Sequence, residues 1–110
     1  MTVHEELEQA LRELESTMKA ADLWRMERPA PEAFDSPQPF CVDTMALPQW
    51  LRFVFIARLE VLVEKRAPMP ASCDVAPAVE AYLVQEGARA SDRLLMCKAV
   101  ERIDQLVTEN

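Results

Sequence analysis

Any chemistry in this 110-residue chain has to come from one histidine, three cysteines and a scatter of carboxylates. A cysteine nucleophile needs a base to draw off its proton, and His4 is the only imidazole on offer. A Cys41–His4 dyad is therefore one arrangement to test, although neither residue stands in a recognisable nucleophile context. Cys41, Cys73 and Cys97 are odd in number and widely spaced, so they form neither a disulfide framework nor a CxxC motif. They are read as small, reduced, metal-free hydrophobes. One histidine and scattered cysteines lack zinc-ligand spacing, and the sequence assigns no metal, no cofactor and no catalytic residue. With Gly87 as the only glycine there is no phosphate-cradling loop, and no Walker, Rossmann or GxSxG signature occurs.

Three carboxylates, Glu32, Asp35 and Asp43, share a proline-rich stretch. Paired carboxylates do acid–base work when a cleft separates their pKa values; otherwise they are solvated loop acids, with Asp43 placed to cap a helix. Pro37-Gln38-Pro39 suits an extended polyproline-like path but lacks PxxP spacing, so a rigid turn over the core is its plainer reading. Arg89 with Arg93, and Lys98 with Arg102, are i,i+4 basic pairs that reach phosphate if left free. Acidic residues interrupt them, which favours a solvated, ion-paired face. The formal net charge of -7 opposes broad affinity for nucleic acid or anionic lipid.

The elements that must position these groups follow from the apolar spacing. Thr2 and Glu5 form a capping-box pattern, and Leu7, Leu11, Leu14 and Met18 make one stripe, which predicts a first helix over about residues 3–23. Glu8–Arg12 and Glu15–Lys19 are oriented as i,i+4 ion pairs along it. From Trp24 to Leu47 the prolines Pro29, Pro31, Pro37 and Pro39 forbid a continuous helix. Trp24, Phe34, Phe40 and Met45 nonetheless supply large apolar anchors for an ordered connector, and a short helical turn is expected after Asp43.

A second helix runs from Pro48 to about Lys65 with apolar residues on every side, a pattern expected of the central helix of a core. Arg58 on that helix is expected to be partly buried and bonded to a carboxylate, with Asp43 the first candidate, or to connector carbonyls, because a buried guanidinium without a partner is too costly. Asp74 or Ala76 precedes a third helix with Pro77 in its first turn and Gly87 at its end. A fourth helix follows over about residues 90–108, with Leu95, Ala99, Ile103 and Leu106 on one face and Leu94 and Val107 broadening it.

"QPF" at Gln38–Phe40, "DTM" at Asp43–Met45 and "QWL" at Gln49–Leu51 give the chain a resemblance to the YqcC-like family of small bacterial proteins. Trp24 before two spaced prolines, Phe34, Arg58, "MP" at Met69-Pro70 and "VAP" at Val75–Pro77 extend that likeness over nearly the whole chain. The resemblance implies a compact four-helix fold and a cytosolic location, with no catalytic residue to carry over. It also implies a link to tRNA modification, since such proteins are often encoded beside a tRNA pseudouridine synthase.

The expectation is therefore an all-α, single-domain four-helix bundle over residues 1–110, with a long proline-rich connector between helices 1 and 2. It is expected to be cytoplasmic, to have no membrane-spanning segment, and to act as a non-catalytic interaction or accessory protein supporting a tRNA pseudouridine synthase. Two alternatives stand beside this: direct RNA binding through the basic residues of helix 4, and a small enzyme using the connector carboxylates or Cys41. The interaction surface is assigned to Phe34, Gln38, Phe40, Asp43, Thr44 and Met45 in the connector.

Overall fold

A computed structural model describes residues 2–110. Among the described residues there are four helices and no strand. Helix α1 is Val3–Ala20, α3 is Ala76–Gln85 and α4 is Ala90–Thr108. Helix α2 spans 47–65 without a break: an α-helical turn Leu47–Trp50, a π-helical stretch Leu51–Ile56 and an α-helical run Ala57–Lys65.

The α1 cap forms as the sequence requires, with the Thr2 hydroxyl oxygen accepting the Glu5 N–H at 3.2 Å. Leu7, Ala10, Leu11, Leu14 and Met18 are completely buried, and Lys19 meets Glu15 at 2.9 Å. Arg12 turns away from Glu8 and pairs instead with Glu15 at 2.9 Å and with Glu60 of α2 at 3.4 Å. The helix stops at Ala20, short of the expected 23, because Asp22 takes a left-handed φ of 60° and the Leu23 N–H returns to the Met18 carbonyl at 2.7 Å.

The core lies chiefly between α1 and α4, and α3 also packs on α4 and contributes Val79 and Leu83 to the same core. This corrects the expectation that α2 is central. Leu51, Val54, Phe55, Ile56 and Leu59 of α2 are buried, but Val61 is 48% exposed and Trp50 and Phe53 are only half-buried. A helix that is apolar all round must be covered, yet the cover need not be helical, and here much of it is the connector. The apolar stripe of α4 is also rotated from the expected one: Leu94 and Leu95 are 56% and 54% exposed, while Met96, Ala99, Val100, Ile103 and Val107 face the core. Arg58 is exposed and makes no ion pair among the described residues, so its expected burial and its pairing with Asp43 both fail.

Asp74 precedes α3 and Ala76 is its first residue, but no neighbouring side chain supplies the cap. That role falls to Asp104, reaching across from α4, whose carboxylate accepts the N–H groups of Val75 at 2.9 Å and Ala76 at 2.8 Å and the Cys73 thiol at 3.1 Å. One turn further along, the Thr108 hydroxyl accepts the Cys73 N–H at 2.9 Å and donates to the Cys73 carbonyl at 3.0 Å. Asp104 is only 9% exposed, and a negative charge at a helix N-terminus is favoured by the helix dipole. At its other end α3 stops at Gly87, whose φ of 69° a side chain would resist.

Asp104→Ala should lower the unfolding free energy by about 2–4 kcal/mol, read from the urea midpoint, because it strands buried N–H donors. An unmoved midpoint contradicts the cap. Burial, and then Asp104, push the Cys73 thiol from an ordinary 9.0 up to about 12. Since the thiolate is the attacking form, Cys73 should react with iodoacetamide at least ~10-fold slower than a free thiol near neutral pH, the smaller thiolate fraction outweighing its greater nucleophilicity. The unfolded thiol ionises first, so this group removes stability as pH rises from 9.0 towards about 12 and is silent below that window.

Candidate functional site

The connector is held to α2 by cations stacked on aromatic rings. The Arg52 guanidinium lies 4.3 Å from the centre of the Trp24 ring and 5.0 Å from that of Phe53, and its Nη1 donates to the Trp24 carbonyl. Arg28 sits 5.3 Å from Phe34 and 5.5 Å from Phe53, and Lys19 covers Trp24 at 5.6 Å. Each such contact stabilises by about 0.5–2 kcal/mol. Gln49 fixes the same stretch through its Nε2, which donates to the Glu27 carbonyl at 3.1 Å.

Two short 3₁₀ turns follow, Pro31–Asp35 and Pro39–Cys41, in place of the helical turn expected after Asp43. The Ser36 hydroxyl donates to the Asp43 carboxylate, and the Thr44 hydroxyl donates to the Ala33 carbonyl at 2.7 Å. These bonds tie the two turns together. Phe40 and Cys41 both take left-handed backbone, with φ of 58° and 50°, a strain on the order of 1–3 kcal/mol at each residue. The return is placement: the Phe40 ring meets Trp50 edge-on at 4.9 Å, and Trp50 stacks on Phe55 at 5.4 Å.

The strained turn forms one wall of an open groove of about 450 Å³. Phe40, Val42 and Met45 line it from the connector with Leu47 at the start of α2, and Ala78, Ala81, Tyr82 and Gln85 line it from α3 with Glu86 just past its end. Val42 is 68% exposed, which is unusual for a large apolar residue beside an apolar groove. Tyr82 is raised above the ordinary phenol pKa by burial and, secondarily, by Glu86.

The structure thus divides the six residues assigned from sequence. Phe40 and the buried Met45 belong to the groove. Asp43 and Thr44 are exposed but hold the connector together, Gln38 is exposed and outside the groove, and Phe34 lies under Arg28. Sequence reasoning missed Val42 and the whole α3 wall. A readable signal existed there: Ala78, Ala81, Tyr82 and Gln85 recur at helical spacing, leaving a strip of small residues around one tyrosine.

The other candidates are dispersed. Cys41 is buried in the connector, while the His4 Nε2–H donates to the Ala67 carbonyl at 2.8 Å. Glu32, Asp35 and Asp43 are exposed. Burial, with Glu80 and Glu101 nearby, raises the Cys97 thiol. Among the described residues no three His, Cys, Asp or Glu side chains are grouped to hold a metal ion, and no helix is long and apolar enough to cross a membrane. On α4, Arg102 is drawn to Glu13 of α1 at 3.4 Å.

If Arg52 pins the connector, Arg52→Ala should speed proteolysis within 24–36 and lower stability by about 1–2 kcal/mol. Unchanged protease resistance of that stretch would show that the stacking does not order it.

The family model DUF446, described as "tRNA pseudouridine synthase C", matches residues 6–106. The chain is 33% identical over 110 residues to "Uncharacterized protein YqcC" of Escherichia coli, covering 100% of this chain and 98% of that one. The solution structure of YqcC superposes with a TM-score of 0.83, covering 99% of this chain and 91% of the other at 33% identity. A second relative, from Pectobacterium carotovorum subsp. carotovorum, bears the name "tRNA pseudouridine synthase C"; it is 32% identical over 72 residues, which are 66% of this chain but 19% of that protein. With its matching segments in order, its fold superposed and its length covered almost end to end, the chain belongs to the YqcC-like family.

Proposed function

We propose that this chain is a non-catalytic accessory protein that docks on a tRNA pseudouridine synthase through the groove between the connector and α3. The groove carries the reading: backbone strain at Phe40 and Cys41 and an exposed Val42 are maintained where a purely structural lid would relax the one and cover the other. The Pectobacterium relative supports the choice of partner. A stretch like this one makes up 19% of a chain with a synthase's name, and covalent linkage of that kind supplies the effective concentration that a separate chain must replace with a binding surface. A non-catalytic role is supported by the burial of Cys41, by the engagement of His4 with the Ala67 carbonyl and by the exposure of the connector carboxylates.

Calorimetric titration of the purified, nuclease-treated chain into a purified tRNA pseudouridine synthase C should give saturable binding with a Kd of about 10 µM or tighter. Val42→Asp, at an exposed position where folding is little affected, should weaken it at least ~10-fold, and Tyr82→Ala should act likewise. No binding, or binding indifferent to both changes, overturns the reading. Binding that appears only when tRNA is present and falls steeply with salt would move the contact to RNA.

A further inference from the structure

The two stretches of chain that wall the groove, 29–51 and 67–88, contain no lysine or arginine. They carry Glu32, Asp35, Asp43, Asp74, Glu80 and Glu86, and all 12 cations of the protein lie elsewhere in the sequence. Glu86 is itself in the groove lining, beside Tyr82, and Asp43 directly follows the exposed Val42. Glu86 is the one charged residue in the groove lining, and a cation, Arg89, shares the adjoining hollow with Tyr82 and Glu86. An apolar floor with an anionic lining disfavours a phosphate backbone and an acidic peptide. Its complement is an apolar stripe flanked by cations.

We infer that the groove takes a cationic amphipathic helix of a protein partner, with apolar side chains seated among Phe40, Met45 and Tyr82 and a lysine or arginine meeting Glu86. This inference rests on the docking role proposed above and adds the chemistry of the segment that docks. A groove of about 450 Å³ has room for a few apolar anchors, the number that one face of a helix presents at i, i+3/i+4 and i+7 spacing. The same charge distribution disfavours contact with tRNA through the groove itself.

The test uses a synthetic helical peptide with leucines at that spacing and lysines on its remaining positions, together with a counterpart carrying glutamates in place of the lysines. The lysine peptide should shift the amide resonances of Val42, Met45, Ala81 and Gln85 saturably, and the glutamate peptide should not. Gln85→Lys combined with Glu86→Lys should weaken the lysine peptide at least ~10-fold while leaving the fold intact, because cations at a helix C-terminus are favourable. Equal binding of the two peptides, shifts confined to another face, or indifference to the double change overturns the inference. A synthase that binds the wild-type and double-lysine chains equally overturns it too, leaving the accessory role standing. A synthase that binds neither, while the lysine peptide behaves as expected, overturns the accessory role and leaves the preference of the groove in place.

Discussion

The rest of the structure depends on one constraint: α2 is apolar on nearly every side, and the other helices cover only part of it. Leu51, Phe55, Ile56 and Leu59 find the helical core, but Trp50 and Phe53 meet the chain that joins α1 to α2. Exposing both aromatic rings to water would forfeit several kcal/mol, on the order of 1.5–3 for each large apolar side chain. The connector is therefore folded onto α2, and its composition reflects that duty. Its prolines reduce the entropy lost on ordering, and its aromatic rings and arginines interleave with those of α2.

A second anchor places the opposite wall of the groove. Asp104 draws the start of α3 onto α4, and with Thr108 it fixes the segment 73–76 that leads into α3. A buried carboxylate is tolerated because backbone N–H groups and a thiol satisfy it and because a helix N-terminus supplies positive potential. The groove thus lies between two elements that are positioned independently, the connector from α2 and α3 from α4. Its shape is set by the scaffold, and a surface already in shape lowers the ordering cost of any binding there.

Much of this was legible in the residues. The Thr2–Glu5 cap, the stripe Leu7–Leu11–Leu14–Met18, Pro48 and Pro77 in first turns and Gly87 at a helix end each reflect a local rule, and each local rule held. What failed was non-local. The Asp104 cap joins residues far apart in sequence, so a reading that searches for caps beside the helix looks at Asp74 instead. Leu94 and Leu95 of α4 were placed inward because two adjacent leucines fit either of two neighbouring stripes, and only packing against α1 selects Met96 and Val100. The apolar residues around Arg58 in sequence suggest burial, but the outer face of the Ala57–Lys65 run meets solvent, and Asp43 is engaged by Ser36. At the site, the connector was recognised by its prolines and aromatic residues. The groove was not, because half of it comes from the plain alanine strip on α3.

The central claim is that the paired walls 40–47 and 78–86 form a docking surface for a tRNA pseudouridine synthase. Amide hydrogen exchange of this chain, with and without the purified synthase, reads that surface directly. Slower exchange confined to those two segments is expected when the synthase is added. Slower exchange on the outer face of α4 around Leu94 and Leu95, with 40–47 and 78–86 unchanged, would contradict that claim.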